Sequence, residues 1–582
     1  MRSLPAFALA CLLAPPAGSF SQDVPPAPQV PPLEQGQKPP PAPAPEPVTP
    51  PVQTPPVQTP PGEIPPVEAP PPEPSPVPPE RPETGPVPEG KPQEPPPEAK
   101  PEEPPEEAAD SPDQPPDPES GHSVTHHSIS IGGVQIEYTA RAGTLELKEE
   151  SGKEKAHVFF VAYTRDGETD LAKRPITFSF NGGPGSSSVW LHLGALGPRR
   201  VRLSEEGWPP PPPYELVDNE GSWLDLTDLV FIDPVTTGYS RPAEGESGGQ
   251  FHGVTEDVQA VGEFIRLYTT RYRRWASPKF LAGESYGTTR AAGLAGHLQE
   301  RHGMYLNGIV LVSAILNFQT ARFDRGNDLP YVLFLPSYTA TAWYHKRLAP
   351  ELQGDLRAAL DEAEMFARGE YASALLAGDD LGAEERERLV AKLGRYTGLS
   401  LDFIERSNLR VEMGRFAKEL LRDQRRTVGR LDSRFQGIDL DAAGQSYEYD
   451  PSYAAILGPF TGALNHYVRV ELGYESDLPY EILTGRVHPW KFGESNRYLN
   501  VADTLRQAMT RNPALRVFVA CGYYDLATPY YAAEYTFDHL GLDPTLRGHV
   551  TLAHYESGHM MYIHQGSLAR LKQDVAAFLR PP

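Results

Sequence analysis

Cysteine is almost missing from the chain: Cys11 and Cys521 are its two, in 582 residues. A disulfide framework is therefore excluded. Basic stretches are scarce as well. Lys and Arg number 53 against 77 Asp and Glu, for a formal net charge of −24. Phosphate binding needs a concentrated cationic face, so nucleic acid is not expected as a partner. Beyond the N-terminal residues no continuous apolar run is long enough to span a membrane, so no integral membrane segment is expected. His554, His559 and His564 lack a recognised zinc-ligand spacing; neither a metal nor another cofactor is expected.

What the chain has in excess is proline. About forty of its 66 prolines lie between Pro25 and Pro118, a density that no packed domain tolerates. Residues 22–121 are thus expected to form a disordered, largely extended Pro/Glu-rich spacer, because proline fixes φ and offers no N–H. Roughly −14 of the net charge sits before His122, which leaves the remainder only mildly acidic. Ahead of the spacer, residues 1–21 read as a secretory signal peptide, with Arg2, an apolar run from Leu4 to Leu13 and small residues around Ala17 to Ser19. Secretion or export to a periplasm is the expected localisation. A lipoprotein anchor at Cys11 is disfavoured, since Ala8 and not leucine stands three positions before it. Removing the signal peptide leaves Cys521, at the end of the apolar run Leu515 to Ala520, as a buried small hydrophobe.

Residues 122–582 are long enough for one large domain. Short β-branched apolar runs recur at His157–Tyr163, Ile176–Phe180, Leu229–Ile232, Lys279–Ala282, Ile309–Ser313, Leu515–Ala520 and His549–Ala553, with helical patterns between them. Thr255-Glu256-Asp257 can cap a helix that carries Val258, Val261, Ile265 and Tyr268 on one side, and Ala291 to Leu298 reads as a small-residue helix. The alternation implies an α/β fold with a mostly parallel central sheet. Before it, the alternating stretch around Gly132-Gly133 implies an antiparallel edge. From about 318 to 499 the rhythm breaks into helical stretches with no convincing buried strand, as expected of a helical cap inserted over one end of the sheet.

Gly-x-Ser-x-Gly, the pattern that can hold a nucleophilic serine on a strand-to-helix turn, occurs twice. At Gly245-Glu246-Ser247-Gly248-Gly249 no strand precedes it and the surroundings read as a surface loop. At Gly283-Glu284-Ser285-Tyr286-Gly287 a short strand leads in and a helix leads out, so Ser285 is the candidate nucleophile. A serine hydroxyl needs an adjacent base, and the base needs an orienting carboxylate. Asp525 follows one later strand in GYYDLATP and His559 follows the next in YESGHMMY, in the order Ser, Asp, His of an α/β-hydrolase. Acyl transfer further needs N–H donors for an oxyanion. Tyr286, after the nucleophile, offers one, and the NGGPG loop from Asn181 to Gly185 offers the other.

Taken together, NGGPGSSS, DPVTTGYS, GESYG, GYYDLATP and SGHM resemble the serine carboxypeptidases, the group that includes carboxypeptidase Y and cathepsin A, over most of the chain from about residue 125. The resemblance implies an α/β-hydrolase fold with a cap, a triad of Ser285, Asp525 and His559, and an oxyanion hole of the Gly183 and Tyr286 amides. It also implies a peptide substrate with a free C-terminus, held by Asn181 and Glu284, and activity favoured by acid. A neutral carboxyl can donate a hydrogen bond to a substrate carboxylate, whereas an ionised one repels it. Three positions depart from the pattern: Ser186 replaces a cysteine, Ser179 a tryptophan, and Ala195 stands where carboxypeptidase Y has a further glutamate. The last departure thins the carboxylate clamp. Secretion without disulfides behind a long spacer points to a bacterial branch. The alternatives are a related ester hydrolase or acyltransferase on the same triad, and an inactive hydrolase fold displayed as a binding domain. Oligomeric state is not legible in the sequence.

Overall fold

The computed structural model describes residues 121–580, apart from position 494. The expected signal peptide and nearly all of the expected spacer lie outside the described residues. Three strands open the domain: Ser123–Ile131 (β1), Val134–Lys148 (β2) and Glu154–Arg165 (β3), each antiparallel to the next. Gly132 and Gly133 turn the first hairpin at positive φ, a conformation that glycine adopts without a Cβ clash.

Six further strands follow: Ile176–Phe180 (β4), Asp228–Ile232 (β5), Lys279–Glu284 (β6), Gly308–Val312 (β7), Arg516–Gly522 (β8) and Val550–Tyr555 (β9). Across the sheet the order is β1-β2-β3-β5-β4-β6-β7-β8-β9, with the two-residue strand Arg241–Pro242 paired to β3 off this path. Along this path only the β3/β5 junction and the opening strands are antiparallel, and β5 to β9 run parallel; the off-path strand is antiparallel to β3. Every residue of β4, β5, β6 and β7 is buried. Cover on both faces is why these strands read as uninterrupted apolar runs.

That cover comes from helices. On one face Leu281, Ile309, Leu311, Val517 and Val519 pack with Val254–Arg271 (α1), Tyr286–His302 (α2) and Ala502–Arg511. On the other, Phe280, Ala282, Val310, Val312, Phe518 and Ala520 pack with Pro451–Val470 and Gln565–Leu579. A third cluster forms inside the stretch between β7 and β8, where Tyr338 stacks on Phe416 at 4.1 Å. Cys521 is buried at the end of β8, and burial pushes its thiol pKa up.

Three sequence readings need correction. Helix α1 starts at Val254 with Gly253 as its N-cap, and no side chain caps it. The stretch Thr255-Glu256-Asp257, expected to cap it, lies inside the helix, and Asp257 turns inward. Helix α2 starts at Tyr286, directly on the turn, and runs to His302, well beyond the small-residue stretch Ala291 to Leu298 at both ends. Between 318 and 499, where no strand was expected, Arg426–Val428 and Gln436–Ile438 form an antiparallel pair. Three residues are too few for alternation to show in a sequence. Among the described residues no helix is long and apolar enough to cross a membrane.

One buried contact ties the helical layer to the first loop of the parallel sheet. Arg290 on α2 donates from Nε to Asp257 Oδ2 at 2.7 Å and from Nη1 to the Asn181 carbonyl at 2.6 Å, and its guanidinium lies over the Phe180 and Tyr286 rings. Removing one partner of a buried ion pair strands the other charge, typically at a cost of about 3–5 kcal/mol, whereas an apolar pair of similar volume is often tolerated. Arg290→Met should accordingly lower the thermal midpoint by several degrees, and Asp257→Leu added to it should recover most of the loss. A single variant that melts with the wild type would show that the pair does not hold the layer.

Candidate active site

In a parallel sheet all strands end on the same side, and the register brings five loops to one edge. Phe180 pairs with Gly283, Glu284 with Val312, Val312 with Ala520, and Gly522 with Tyr555. The residues that follow are Asn181, Ser285, Ser313, Asp525 and His559. All the predicted site residues therefore lie along this edge, Glu284 as the last residue of β6, Tyr286 as the first of α2 and the others on loops.

Ser285 sits at φ 59°, ψ −129°, a strained conformation for a residue with a side chain. Close packing leaves the backbone no alternative. A Cβ on Gly283 would lie 2.3 Å from the Gly287 carbonyl oxygen, and one on Gly287 would lie 2.8 Å from that of Phe180. The Ser285 N–H continues the ladder to Val312 O at 3.0 Å, and Thr288 Oγ1 donates to Ser285 O at 2.6 Å. From Gly283 to Arg290, Ser285 alone is partly exposed. Tyr286 is the first residue of α2, so its N–H has no intrahelical partner. The Asn181–Gly185 loop presses against it: a Cβ on Gly182 would lie 2.4 Å from Tyr286 N. Gly183 follows at φ 100°. Ser186 Oγ accepts from Trp190 Nε1 at 2.8 Å, a packing role for the position expected to differ from a cysteine.

Asp525 and His559 are both buried, and Nδ1 of the imidazole lies 2.7 Å from Asp525 Oδ2. A carboxylate only accepts, so Nδ1 carries the hydrogen and Nε2 is left basic. Asp525 Oδ1 accepts from the N–H groups of Ala527 and Thr528 at 2.7 and 3.0 Å, and Thr528 Oγ1 donates to Oδ2 at 2.7 Å. Burial lowers the His559 pKa, but Asp525 and Glu284 outweigh it and the net shift is upward. Ser313 Oγ donates to the His559 carbonyl at 2.6 Å. His559 is thereby fixed to the strand end that also holds Ser285. The other two histidines go elsewhere: His554 faces Glu534 at 2.8 Å and His564 faces Ser567. One cluster of possible metal ligands exists among the described residues, Glu146, Glu154 and His157, partly exposed, with Lys148 bridging its two carboxylates.

A segment within the long insertion holds both loops, which sequence reasoning missed. His559 N donates to Leu431 O at 2.6 Å, Leu526 N to Arg430 O at 3.0 Å, and Ser433 N to Tyr524 O at 2.9 Å. Asp432 Oδ2 accepts from Gly558 N at 3.1 Å and from Arg434 Nη2 at 2.7 Å, and the same nitrogen donates to Ser557 Oγ. In sequence this stretch, GRLDSRF, carries no periodicity and no motif.

Glu284 is 3% exposed, and burial pushes its pKa up to about 7 against the opposing pull of His559, Tyr562 and Asn181. Its Oε2 accepts from the Tyr562 hydroxyl at 2.5 Å. Asn181 Oδ1 accepts from Leu191 N at 3.1 Å, and its buried Nδ2 has no partner within hydrogen-bond distance, though the amide faces Glu284 closely enough to oppose the rise in its pKa. A buried, unpaired amide donor beside a carboxyl that is neutral in acid is a ready receptor for an anionic group. Ala195 is fully buried within the turn His192–Leu196, and its carbonyl accepts from Asn219 Nδ2.

The family profile described as "Serine carboxypeptidase" matches residues 134–563. The chain belongs to the serine carboxypeptidase family. It is 33% identical over 147 residues to the pheromone-processing carboxypeptidase KEX1 of Debaryomyces hansenii, covering 25% of this chain and 19% of that protein. It is 26% identical over 197 residues to serine carboxypeptidase-like 46 of Arabidopsis thaliana, covering 32% and 39%. The chain thus spans about a fifth of the length of the KEX1 relatives that it matches. Among solved structures, a prohormone-processing carboxypeptidase from Saccharomyces cerevisiae aligns at a TM-score of 0.47 and 18% identity, over 76% of this chain and 91% of that one.

Within this family member the approach of Asp432 to Gly558 is testable. A Cβ at 558 would lie 2.4 Å from Asp432 Cβ and 2.5 Å from Leu431 O, so Gly558→Ala must displace the carbonyl that holds His559. Misplacing a catalytic group by about 1 Å can cost about 10²-fold in rate. Labelling of Ser285 by a fluorophosphonate, followed by mass spectrometry, should slow by about that factor. Unchanged labelling would mean that the insertion does not position His559.

Proposed function

We propose that this protein is a serine-type carboxypeptidase that releases C-terminal residues from peptides through an acyl-enzyme on Ser285. Ser285 Oγ attacks the scissile carbonyl while His559 Nε2 takes its proton, and Asp525 stabilises the imidazolium that forms. The amides of Gly183 and Tyr286 receive the oxyanion. His559 then passes the proton to the departing amine, the C-terminal amino acid leaves, and water hydrolyses the ester by the same route. The observation that carries the exopeptidase reading is the pairing of buried Glu284 with the unpartnered Nδ2 of Asn181 next to the nucleophile. These two groups would hold the substrate's terminal carboxylate and so place the last peptide bond at Ser285. Residues 1–21 as an export signal, 22–121 as a spacer and about 318–499 as a cap complete the proposal.

The pH dependence follows in sign. Glu284 is neutral below its pKa of about 7 and donates to the substrate carboxylate there; above it the ionised form repels. A C-terminal amide escapes this penalty. The ratio of kcat/KM for an N-blocked dipeptide to that for its amide should therefore be high at pH 5 and fall as the pH rises through about 7. Ser285→Ala serves as the blank, and Asp525→Asn should lower kcat by about 10⁴. Equal rates on acid and amide would leave a hydrolase without exopeptidase selectivity, activity on esters alone would favour the ester-hydrolase reading, and no labelling of Ser285 would favour the inactive binding domain.

A further inference from the structure

A carboxyl group that must donate a hydrogen bond has two oxygens on which its proton can sit, and only one faces the ligand. We propose that Tyr562 is a positioning residue for substrate recognition: its hydroxyl holds Glu284 Oε2, directs the Glu284 proton to Oε1, and sets the upper end of the pH range in which a free C-terminal carboxylate is accepted. This deepens the carboxypeptidase reading and rests on it.

The geometry leaves Tyr562 little freedom. Its side chain is 1% exposed, and its hydroxyl lies 2.5 Å from Glu284 Oε2. The ring abuts Gly194 so closely that a Cβ there would come within 2.4 Å of it. That turn also carries Ala195, the position noted above as departing from the family pattern. The phenol therefore supplies Glu284 with a buried hydrogen-bonding partner from another loop. Burial and Glu284 both push the tyrosine pKa well above its ordinary value, so the hydroxyl stays a donor throughout the neutral and acid range. An O–H donor can serve the carbonyl oxygen of a neutral carboxyl but not its hydroxyl oxygen without competition, so Oε2 accepts and the proton resides on Oε1. The same bond favours ionised Glu284 more strongly than neutral Glu284. The other groups that face this carboxyl are His559, Asp525 and the Asn181 amide, and none of them is altered by removing the phenol oxygen.

The test is the ratio of kcat/KM for an N-blocked dipeptide to that for its amide between pH 4 and 9, in the wild type, Tyr562→Phe, Glu284→Gln and the double variant. In the wild type the ratio falls through about 7. In Tyr562→Phe the fall should move upward by about one pH unit, a tenfold change in the protonation equilibrium. In Glu284→Gln the fall should vanish, and Tyr562→Phe should add no pH dependence to it. A lost structural contact would lower rates without moving the midpoint. An unmoved or lowered midpoint in Tyr562→Phe, with the wild type and Glu284→Gln behaving as stated, overturns this inference alone. A shift that persists in the double variant overturns it too, because Tyr562 would then act on His559. No fall in the wild type, or a fall that survives Glu284→Gln, overturns the carboxypeptidase reading along with it. Should Tyr562→Phe fail to fold, 3-fluorotyrosine at 562, a more acidic and stronger donor, should move the midpoint down, and an upward shift or none would overturn the inference.

Discussion

The site depends on one backbone constraint: the register of the parallel strands, which carries β6 into a turn that no relaxed residue would make. Glu284, Ser285 and Tyr286 leave the sheet in three directions because the turn is sharp. The first side chain goes into the core beneath the edge, the second into the open, and the third into the packing around Arg290. Strain at Ser285 is sustained by Gly283 and Gly287, whose missing side chains let backbone meet backbone. A looser turn would separate the nucleophile from the carboxyl beside it.

Much of this was legible in the chain. Buried parallel strands leave uninterrupted apolar runs, and five of them were located to within a residue or two from composition alone. Gly-x-Ser-x-Gly was ambiguous as a pattern, and its surroundings separated Ser285 from Ser247, whose hydroxyl instead accepts from Gly249 N at the start of a one-turn helix. Asp525 and His559 were legible because a hydrolase site is built at strand ends, and strand ends can be found. The rest was hidden for a physical reason. Tyr562, Ser313, Thr528 and the Arg430–Arg434 segment act through single hydrogen bonds set by tertiary approach, and no local periodicity or spacing encodes such contacts. Ala195 shows the converse, a difference visible in sequence whose surroundings were not.

The electrostatics couple parts that are usually described apart. Glu284 and His559 share one buried neighbourhood, so the charge on one bears on the other. When Glu284 is neutral, the imidazole loses one of the two groups that raise it. On the proposed reading, substrate recognition and base strength thus respond to acid together, with the carboxyl gaining its proton as the histidine becomes easier to keep neutral.

The contact of Leu431 and Asp432 with the histidine loop also has a bearing on synthesis. Along the chain Ser285 comes first, then the insertion, then Asp525, and His559 last. On the proposed reading, a chain still emerging from the ribosome exposes Ser285 long before anything can activate it, and the base is seated only when the insertion has folded to receive it.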